Sequence, residues 1–185
     1  MPLAPEPESL ALVRRFVNTL DVEDGIDALA SPAALARWLR NEGLLRSRAR
    51  VTDAEGRRAV ELREAVRVLL LANNGVQGDA GAARAVLDAM SEHARLELRF
   101  AQDGAALRPL AGDVDAALGT IVGAVGEAML AGTWPRLKAC RAGDCTWAFW
   151  DAARNRSRTW CSMAVCGNRT KARAFRRRRA LPTTA

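Results

Sequence analysis

Four cysteines offer the clearest chemistry in this sequence. They lie in the last third of the chain as two C-x4-C pairs separated by fifteen residues: Cys140, Cys145, Cys161 and Cys166. Each close pair can wrap one edge of a metal, and a hairpin-length insert can bring the two pairs together, as a tetrahedral four-thiolate site requires. Zinc suits thiolates because it is borderline-soft and redox-inert. The spacing therefore predicts one Zn²⁺ per chain, held by all four cysteines.

Other interpretations of the four cysteines are a redox dithiol, an iron–sulfur cluster or structural free thiols. A redox pair is typically C-x-x-C, which this chain lacks. The insert favours a metal, because TWAFW and RTWCS predict two short strands around the polar turn ARNRS. Trp147, Phe149 and Trp160 would form a small core there. A module of about 45 residues buries too little apolar surface to fold alone, so metal binding would supply the missing folding energy.

The charge is unevenly distributed along the chain. Residues 136–185 carry 13 Lys and Arg but only two Asp, whereas residues 1–135 carry 15 Arg against 19 Asp and Glu. A basic head on a neutral-to-acidic body is expected of nucleic-acid binders and is less natural in a metabolic enzyme. The alternative is a solvated, charged helix. The candidate nucleic-acid contacts are Arg154, Arg156, Arg158, Arg169, Lys171, Arg173, Arg176 and Arg177.

A helix over 168–180 would carry most of these basic residues. Arg169, Arg173 and Arg176 share one of its faces, and the first two lie near its start, the end that usually enters a major groove. We therefore expect Arg169 and Arg173 to contact base edges. Ala172 and Phe175 form a narrow apolar stripe, which we expect to dock on the core of the finger.

The rest of the chain shows little catalytic chemistry. His93 is the only histidine, no Ser/His/Asp set can be assembled around it, and no glycine-rich phosphate loop is present. We therefore expect no catalytic residues and no enzyme. Asn18 and Thr19 are polar residues within an apolar helical stretch, and with Trp38 they are candidates for an effector pocket. The alternative is that Asn18 caps a neighbouring helix internally.

Hydrophobic spacing predicts that the first 135 residues are mostly helical. An apolar stripe runs from Leu10 to Leu20, Ser31-Pro32 can start a second helix, and a T-x-x-E capping box at Thr52 and Glu55 opens a third helix that ends near 73–75. A further helix is predicted over 82–94. A β-hairpin then begins at Leu96 with its turn at Asp103-Gly104, and a last helix passes through Leu118 and Met129. Gly119, Gly123 and Gly126 should allow this last helix to pack closely.

The domain boundary is predicted at Gly132–Pro135. It gives an α-rich body over 1–135, which we expect to fold alone, and a finger with a basic helix over 136–185. The predicted fold is therefore mostly α with a small β-hairpin, followed by a small treble-clef-like four-cysteine zinc finger.

The stretch from Cys140 to Arg173, CRAGDCTWAFWDAARNRSRTWCSMAVCGNRTKAR, resembles the CGNR zinc-finger family of bacterial proteins. The matching residues are Phe149, Asp151, Arg154, Asn155, Ser157, Arg158, Trp160, Cys161, Ser162, Met163, Cys166, Gly167, Asn168, Arg169 and Lys171. Ala153 stands where Ser is common, and Thr159 where Arg is common. RFVNTLD, SPAALARWL and ELREAVRVLLLA are similar to the ABATE domain, the usual partner of this finger. The resemblance implies a stress-linked transcription regulator that binds DNA through the finger.

The leading hypothesis is thus a transcription regulator that binds double-stranded DNA and whose body senses an effector or dimerises. A small-molecule effector and a second copy of the chain would then be further partners. Alternatives are RNA binding, with bases stacking on Trp147 or Trp150, or an adaptor whose finger binds an acidic protein. The start of the chain lacks the pattern of a secretion signal, and no apolar run is long enough to span a bilayer, so we expect a cytoplasmic protein with no membrane partner.

Overall fold

The computed structural model describes residues 5–46, 48–102 and 104–180, of which half are α-helical. In chain order the elements are α1 (Glu8–Val17), β1 (Leu20–Asp21), β2 (Ile26–Asp27), α2 (Pro32–Asn41), α3 (Asp53–Asn73), α4 (Ala80–Ala94), β3 (Leu96–Ala101), β4 (Gly104–Pro109), α5 (Asp113–Leu130), a 3₁₀ turn (Trp134–Arg136), β5 (Leu137–Ala139), β6 (Ala148–Trp150), a one-turn π-helix (Met163–Gly167) and α6 (Asn168–Ala180). The predicted α-rich body, its hairpin and a cysteine-containing C-terminal region are confirmed.

Helix starts follow the predicted capping chemistry. The Ser31 hydroxyl accepts a hydrogen bond from the Ala34 amide at the start of α2. At the start of α3, the Glu55 carboxylate accepts from the Thr52 amide at 2.7 Å, and the Thr52 hydroxyl accepts from the Glu55 amide at 3.3 Å. These bonds satisfy amides that have no partner inside the helix, which fixes where α2 and α3 begin.

The long helix α3 lies at the centre of the body and packs against α1, α2, α4 and α5. Its apolar side chains meet those of α1 and α5 in one core, in which Phe16, Leu62, Leu70, Leu118 and Ile121 are fully buried. Burying each large apolar side chain contributes about 1.5–3 kcal/mol, so this core is the main source of the body's stability.

Two arginines of α3 lie within the body. The Arg63 side chain is 2% exposed and donates to both oxygens of the Asp27 carboxylate, at 2.6 and 3.1 Å. Arg67 donates to the Val17 carbonyl at 2.8 Å. Because a buried cation is stable only when it is paired, these bonds hold the β1–β2 segment and the end of α1 against α3.

The β3–β4 hairpin lies on α5 through its second strand. Gly119, Gly123 and Gly126 permit close contact: a Cβ at Gly119 would lie 2.4 Å from the Cβ of Ala94, and one at Gly126 would lie 3.2 Å from Leu107 Cδ1. The expected close packing is therefore found, but against the hairpin and the end of α4 and not against a helix face alone. The predicted turn at Asp103 lies outside the described residues.

The predicted pairing inside the finger is wrong. β6 pairs with β5 in antiparallel register, with Leu137 opposite Trp150 and Ala139 opposite Ala148. Residues 158–162 form no strand. The carboxylate of Asp151 accepts from the amides of Ala153 and Arg158, which folds this segment into a loop.

The predicted boundary at 135/136 crosses a continuous core. Leu137, Ala139 and Ala148 belong to the same apolar cluster as the body helices. At the end of α3, the Asn73 amide donates to the carbonyls of Trp134 and Leu137, at 3.0 and 2.9 Å. The division into two units, and the ability of 1–135 to fold alone, stay predictions, and these contacts weigh against independent folding.

Candidate metal centre and its basic surroundings

The β5–β6 hairpin supplies the first cysteine pair. Cys140 follows β5 and Cys145 precedes β6, so the intervening residues form a tight turn. The Cys140 amide donates to the Trp147 carbonyl, and the Cys145 amide donates to the Ala142 carbonyl, each at 2.9 Å. Cys161 lies in the loop before the π-helix, and Cys166 lies within that helix. The turn between β5 and β6 (Cys140–Cys145), called the knuckle below, therefore supplies two thiols, and the loop and π-helix before α6 supply the other two.

The four sulfurs meet in one small cluster. All four Sγ atoms lie within 4.8 Å of one another, and the Cys145–Cys161 and Cys161–Cys166 pairs are 3.6 Å apart. A tetrahedral metal with metal–sulfur bonds of about 2.3 Å places its sulfurs about 3.8 Å apart. Disulfide sulfurs are about 2.05 Å apart, so none of these thiols is in a disulfide. The donor set fits a four-thiolate metal site, and the sequence prediction that these cysteines converge is confirmed.

Burial raises the pKa of two of these thiols, Cys145 and Cys161, which makes them poor acids in the absence of a cation. Burial raises the pKa of Cys145 to about 11, although a backbone hydrogen bond with Trp147 opposes the shift. Burial, together with hydrogen bonds among the thiols, also raises the pKa of Cys161. For Cys166, burial is outweighed by hydrogen bonds from the other thiols and from Arg169, which lower its pKa. Metal binding must therefore displace protons, and the affinity falls in acid.

A buried ion pair at the base of the β5–β6 hairpin supports the knuckle. The ammonium of Lys138, on β5, donates to the carboxylate of Asp151 at 2.8 Å and to the carbonyl of Arg158 at 3.1 Å, and it also contacts the carbonyl of Arg156. Asp151 is fully buried, and Lys138 is 5% exposed. This pair ties the loop after β6 to β5 and so restricts the path of the chain toward Cys161.

The body also holds the knuckle directly. The Asn18 side chain pairs with Ala148 in the manner of a neighbouring strand, donating to its carbonyl at 3.0 Å and accepting from its amide at 2.7 Å. Arg67 donates to the carbonyl of Thr146 at 3.0 Å. Asn74 donates to the carbonyls of Ala139 and Thr159, both at 2.8 Å.

Sequence reasoning missed these supporting roles. Asn74 reads as a helix-ending residue, and Arg67 reads as one more charged residue of an amphipathic helix. No local pattern distinguishes either from a surface residue.

The structure places three of the predicted nucleic-acid contacts in internal ion pairs or hydrogen bonds. Arg158 donates to the Cys161 carbonyl at 2.7 Å and lies over the Phe149 ring, 4.9 Å from its centroid. Arg169 pairs with Glu23, between β1 and β2, and its guanidinium lies 3.6 Å from the sulfur of Cys166. Arg173 pairs with Asp144 in the knuckle at 2.9 Å. These side chains brace the cysteine cluster, as outer-shell residues commonly do around a metal site.

The other five predicted contacts remain available. They are exposed and form no ion pair with the described part of the chain: Arg154, Arg156, Lys171, Arg176 and Arg177. The first two lie in the loop after β6, and the others lie on α6. No acidic group among the described residues neutralises their charge, and they define the basic surface of the finger.

The predicted apolar stripe of α6 does not dock. Ala172 is exposed, and Phe175 is 52% exposed with the Arg179 guanidinium 5.7 Å from its ring centroid. The finger core is completed without α6, because Phe149, Trp147 and Trp160 pack around the cysteines.

The predicted effector pocket has a different arrangement in the structure. Asn18 is bonded to Ala148, and the Thr19 hydroxyl donates to the Phe16 carbonyl at 2.7 Å and accepts from Arg63. Trp38 packs on Phe16, with ring centroids 5.5 Å apart. The polar atoms of Asn18 and Thr19 are thus used to join elements. The role of Asn18 is internal, but its side chain bonds to strand β6 and not to the end of a neighbouring helix, as the alternative expected.

Comparison with known families fits this architecture. Residues 136–179 match the CGNR zinc finger, and residues 10–157 match ABATE, a family described as "Putative stress-induced transcription regulator". The chain belongs to the ABATE family. The ABATE match continues past the predicted boundary and includes Cys140 and Cys145, consistent with the shared core. No curated protein matches the chain significantly. Within the described ranges, no helix is both long and apolar enough to cross a membrane.

Proposed function

We propose that this ABATE-family protein is a transcription regulator that binds double-stranded DNA through its zinc finger. The observation that carries the proposal is the group of five exposed cations that form no ion pair within the described residues, on a finger whose Arg169 and Arg173 are paired with Glu23 and Asp144. Cations held in fixed positions neutralise phosphates and release the counterions of the duplex. In a bacterium such a regulator would act in the cytoplasm, and we propose no catalytic activity for it.

The metal in this proposal is zinc, at one ion per chain. A cluster of four thiolates with no further donor is a closed structural site, for which zinc is the common occupant. Metal analysis of the purified chain should give one equivalent of zinc, released when any of the four cysteines is replaced by serine. Iron, or four freely reactive thiols without metal, would contradict this assignment.

DNA contact is expected to come from the unpaired cations. If all five neutralise phosphates, log K should fall with log salt at a slope of about −4.5. Lys171→Ala or Arg177→Ala should weaken every duplex alike and flatten the slope by about one. Arg84→Ala is the matched control, because Arg84 is an exposed cation of α4 in the body. It should leave the slope unchanged.

Arg169 and Arg173 take a different role in this proposal. Both are predicted from sequence to contact bases, but their bonds to Glu23 and Asp144 would have to break first. We propose that they hold the start of α6 against the body and the knuckle. Arg169→Ala should therefore lower thermal stability and metal retention more than it changes sequence preference.

The decisive experiment selects bound sequences from a random duplex pool and titrates the winners with and without a chelator. A preferred sequence whose binding is lost on chelation supports the proposal. Equal binding of all polyanions, unaffected by chelation, would show that the basic surface is only a charged tail.

Preference for RNA would favour the RNA alternative, but Trp147 and Trp150 are only partly exposed, which limits base stacking. The predicted effector stays a prediction, tested by a compound that raises the melting temperature.

A further inference from the structure

The outer edge of the β3–β4 hairpin is open. β4 lies against α5, and β3 has β4 as its only neighbouring strand among the described residues. The Leu107 amide on β4 donates to the Glu127 carboxylate of α5 at 2.8 Å. That amide therefore points away from β3, and Leu98, which is opposite Leu107, is in a non-hydrogen-bonded pair.

The free backbone groups of β3 follow from this register. In a non-hydrogen-bonded pair both residues direct their amide and carbonyl outward, so those of Leu98 point away from β4. The same parity applies to Leu96 and Phe100. In the part of the chain that the structure describes, no other backbone group bonds to these outward groups of Leu98 or Phe100. β3 thus presents a row of unpaired donors and acceptors.

The side chains along this edge are apolar and exposed. Leu98 is 54% exposed and Phe100 is 82% exposed, and both lie on the same face of the hairpin as Leu96. Most natural edge strands carry charges, prolines or bulges that prevent association. This edge carries charge only at Glu97 and Arg99, and those two are paired with each other at 2.7 Å.

The sequence of β3 is complementary to itself when reversed. In an antiparallel pair centred on Leu98, Leu98 lies opposite Leu98, Leu96 opposite Phe100, and Glu97 opposite Arg99. Every apolar residue meets an apolar residue, and every charge meets its opposite. The register also matches the backbone, because the residues brought together are those whose amides and carbonyls point outward. Neither match would be expected of a strand that stays solvated.

We propose that the open edge of β3 binds β3 of a second copy of this chain. The two hairpins then form one four-stranded antiparallel sheet about a twofold axis at Leu98. Paired residues share a face, so Phe100 of the second copy lies beside Leu96. Leu96 lines a cavity of about 430 Å³ between α4, α5 and the hairpin, whose lining includes apolar Leu87, Leu107 and Val125 and, on α4, charged Arg84 and Asp88. The phenyl ring covers the mouth of this cavity.

The most direct test removes one outward amide. Leu98→Pro deletes the amide at the twofold axis but no bond of the β3–β4 ladder, because that amide points away from β4. Sedimentation of the full, metal-containing chain should show a dimer whose dissociation constant rises at least about tenfold in this variant. Leu130→Lys is the control, since Leu130 is 85% exposed but lies on α5. It should leave the dimer intact.

A charge-reversal pair separates pairing from damage to the hairpin. Arg99→Glu and Glu97→Lys each place like charges opposite each other in the symmetric dimer, so each variant alone should dissociate at least about tenfold more readily. Mixed together, the two chains place opposite charges at both positions and should form a heterodimer. A variant with a broken hairpin could not be rescued in this way. A monomeric wild type, a dimer indifferent to Leu98→Pro, or a mixture that stays monomeric would overturn the proposal.

Discussion

Two buried cations, Arg63 and Lys138, illustrate how single residues join distant parts of this chain. Arg63 meets both oxygens of Asp27, whereas Lys138 has one carboxylate oxygen of Asp151 and the carbonyls of the loop that follows it. Neither cation has access to water that could replace a lost partner. Removing one carboxylate therefore destabilises the fold by more than the value of an exposed ion pair.

Asp27→Asn should lower the free energy of unfolding by about 2–3 kcal/mol. This is less than the cost for a fully buried pair, because the Asp27 side chain is 26% exposed. Glu8→Ala is the control: Glu8 also binds an arginine, but its side chain is 85% exposed, so the change should be within about 0.5 kcal/mol. Urea unfolding at neutral pH measures both. Equal small losses would show that Glu64, which accepts from Arg63 Nε at 2.8 Å, is a sufficient counter-charge.

The same carboxylate gives a pH signature. Burial of Asp27 opposes ionisation, but the hydrogen bonds from Arg63 and the Leu29 amide outweigh it and lower its pKa below 3.8. Its contribution to stability is therefore complete above about pH 3.8 and is lost as the pH falls through the lower folded value. The Asn variant should lack this part of the acid-induced loss when unfolding is followed across that range.

Residues with local chemistry could be predicted from the sequence, and residues with distant partners could not. Spacing alone identifies the cysteines, and capping rules identify Ser31 and Thr52, because their partners lie within a few positions. Sequence reasoning makes Asn18 a candidate for an effector pocket and Arg169 a candidate for DNA contact. No neighbouring residue in the sequence indicates that their partners are Ala148 and Glu23. Their partners lie 130 and 146 positions away.

At the scale of elements, the close packing of the hairpin on α5 depends on glycines in that helix. Gly119 faces the Cβ atoms of Ala94 and Pro109, which are fixed to backbone and cannot rotate away. The hairpin can approach α5 closely only because this helix face carries no methyl groups. Any added atom must move the end of α4 or the hairpin.

Gly119→Ala should therefore destabilise the protein by about 1–3 kcal/mol through overpacking, despite the better helix propensity of alanine. Gly56→Ala in α3 is the matched control, because a Cβ there meets only Pro32 Cγ at 3.8 Å. It should stabilise the protein by about 0.5–1 kcal/mol. Thermal unfolding of the two variants should thus shift in opposite directions. A stabilising Gly119→Ala would show that the hairpin is loosely seated.

Long helices and the hairpin could be predicted from periodicity, whereas the finger strands could not. β5 has three residues, one of which is the buried Lys138, so it shows no alternation of apolar and polar positions. RTWCS has the composition of a strand, but Asp151 takes its first amide for a loop. Such short strands are chosen by tertiary partners and not by local preference.

At the scale of the whole molecule, the finger and the body share their structure. Leu137 is fully buried in the body core, and Asn18, Arg67, Asn73 and Asn74 direct their side chains at backbone beyond residue 133. The basic residues are concentrated in the C-terminal segment, as composition suggests. That segment is nevertheless bonded to α3, so its charge boundary is not a boundary between folding units.

A fragment ending at residue 135 should consequently lose about 5 kcal/mol or more of stability, from the vacated Leu137 site and the unpaired polar side chains. That is comparable to the whole stability of many domains, so we expect a largely unfolded fragment. A chain ending at Thr170 is the control, since it keeps the junction and all four cysteines. Circular dichroism melts of both fragments decide the matter. A cooperative, native-like melt of 1–135 would establish two independent units.

The two bonds of Asn74, to carbonyls on either side of the knuckle, also bear on how long the protein survives in a cell. In a newly made chain without its metal we expect the segment around Thr159 to loosen, and the end of α3 then loses the Thr159 carbonyl as a partner. Local opening there bares Leu137 and Ala139, the kind of site at which proteases begin. We therefore expect turnover to follow metal supply, so that starved cells clear this protein before it can occupy any target.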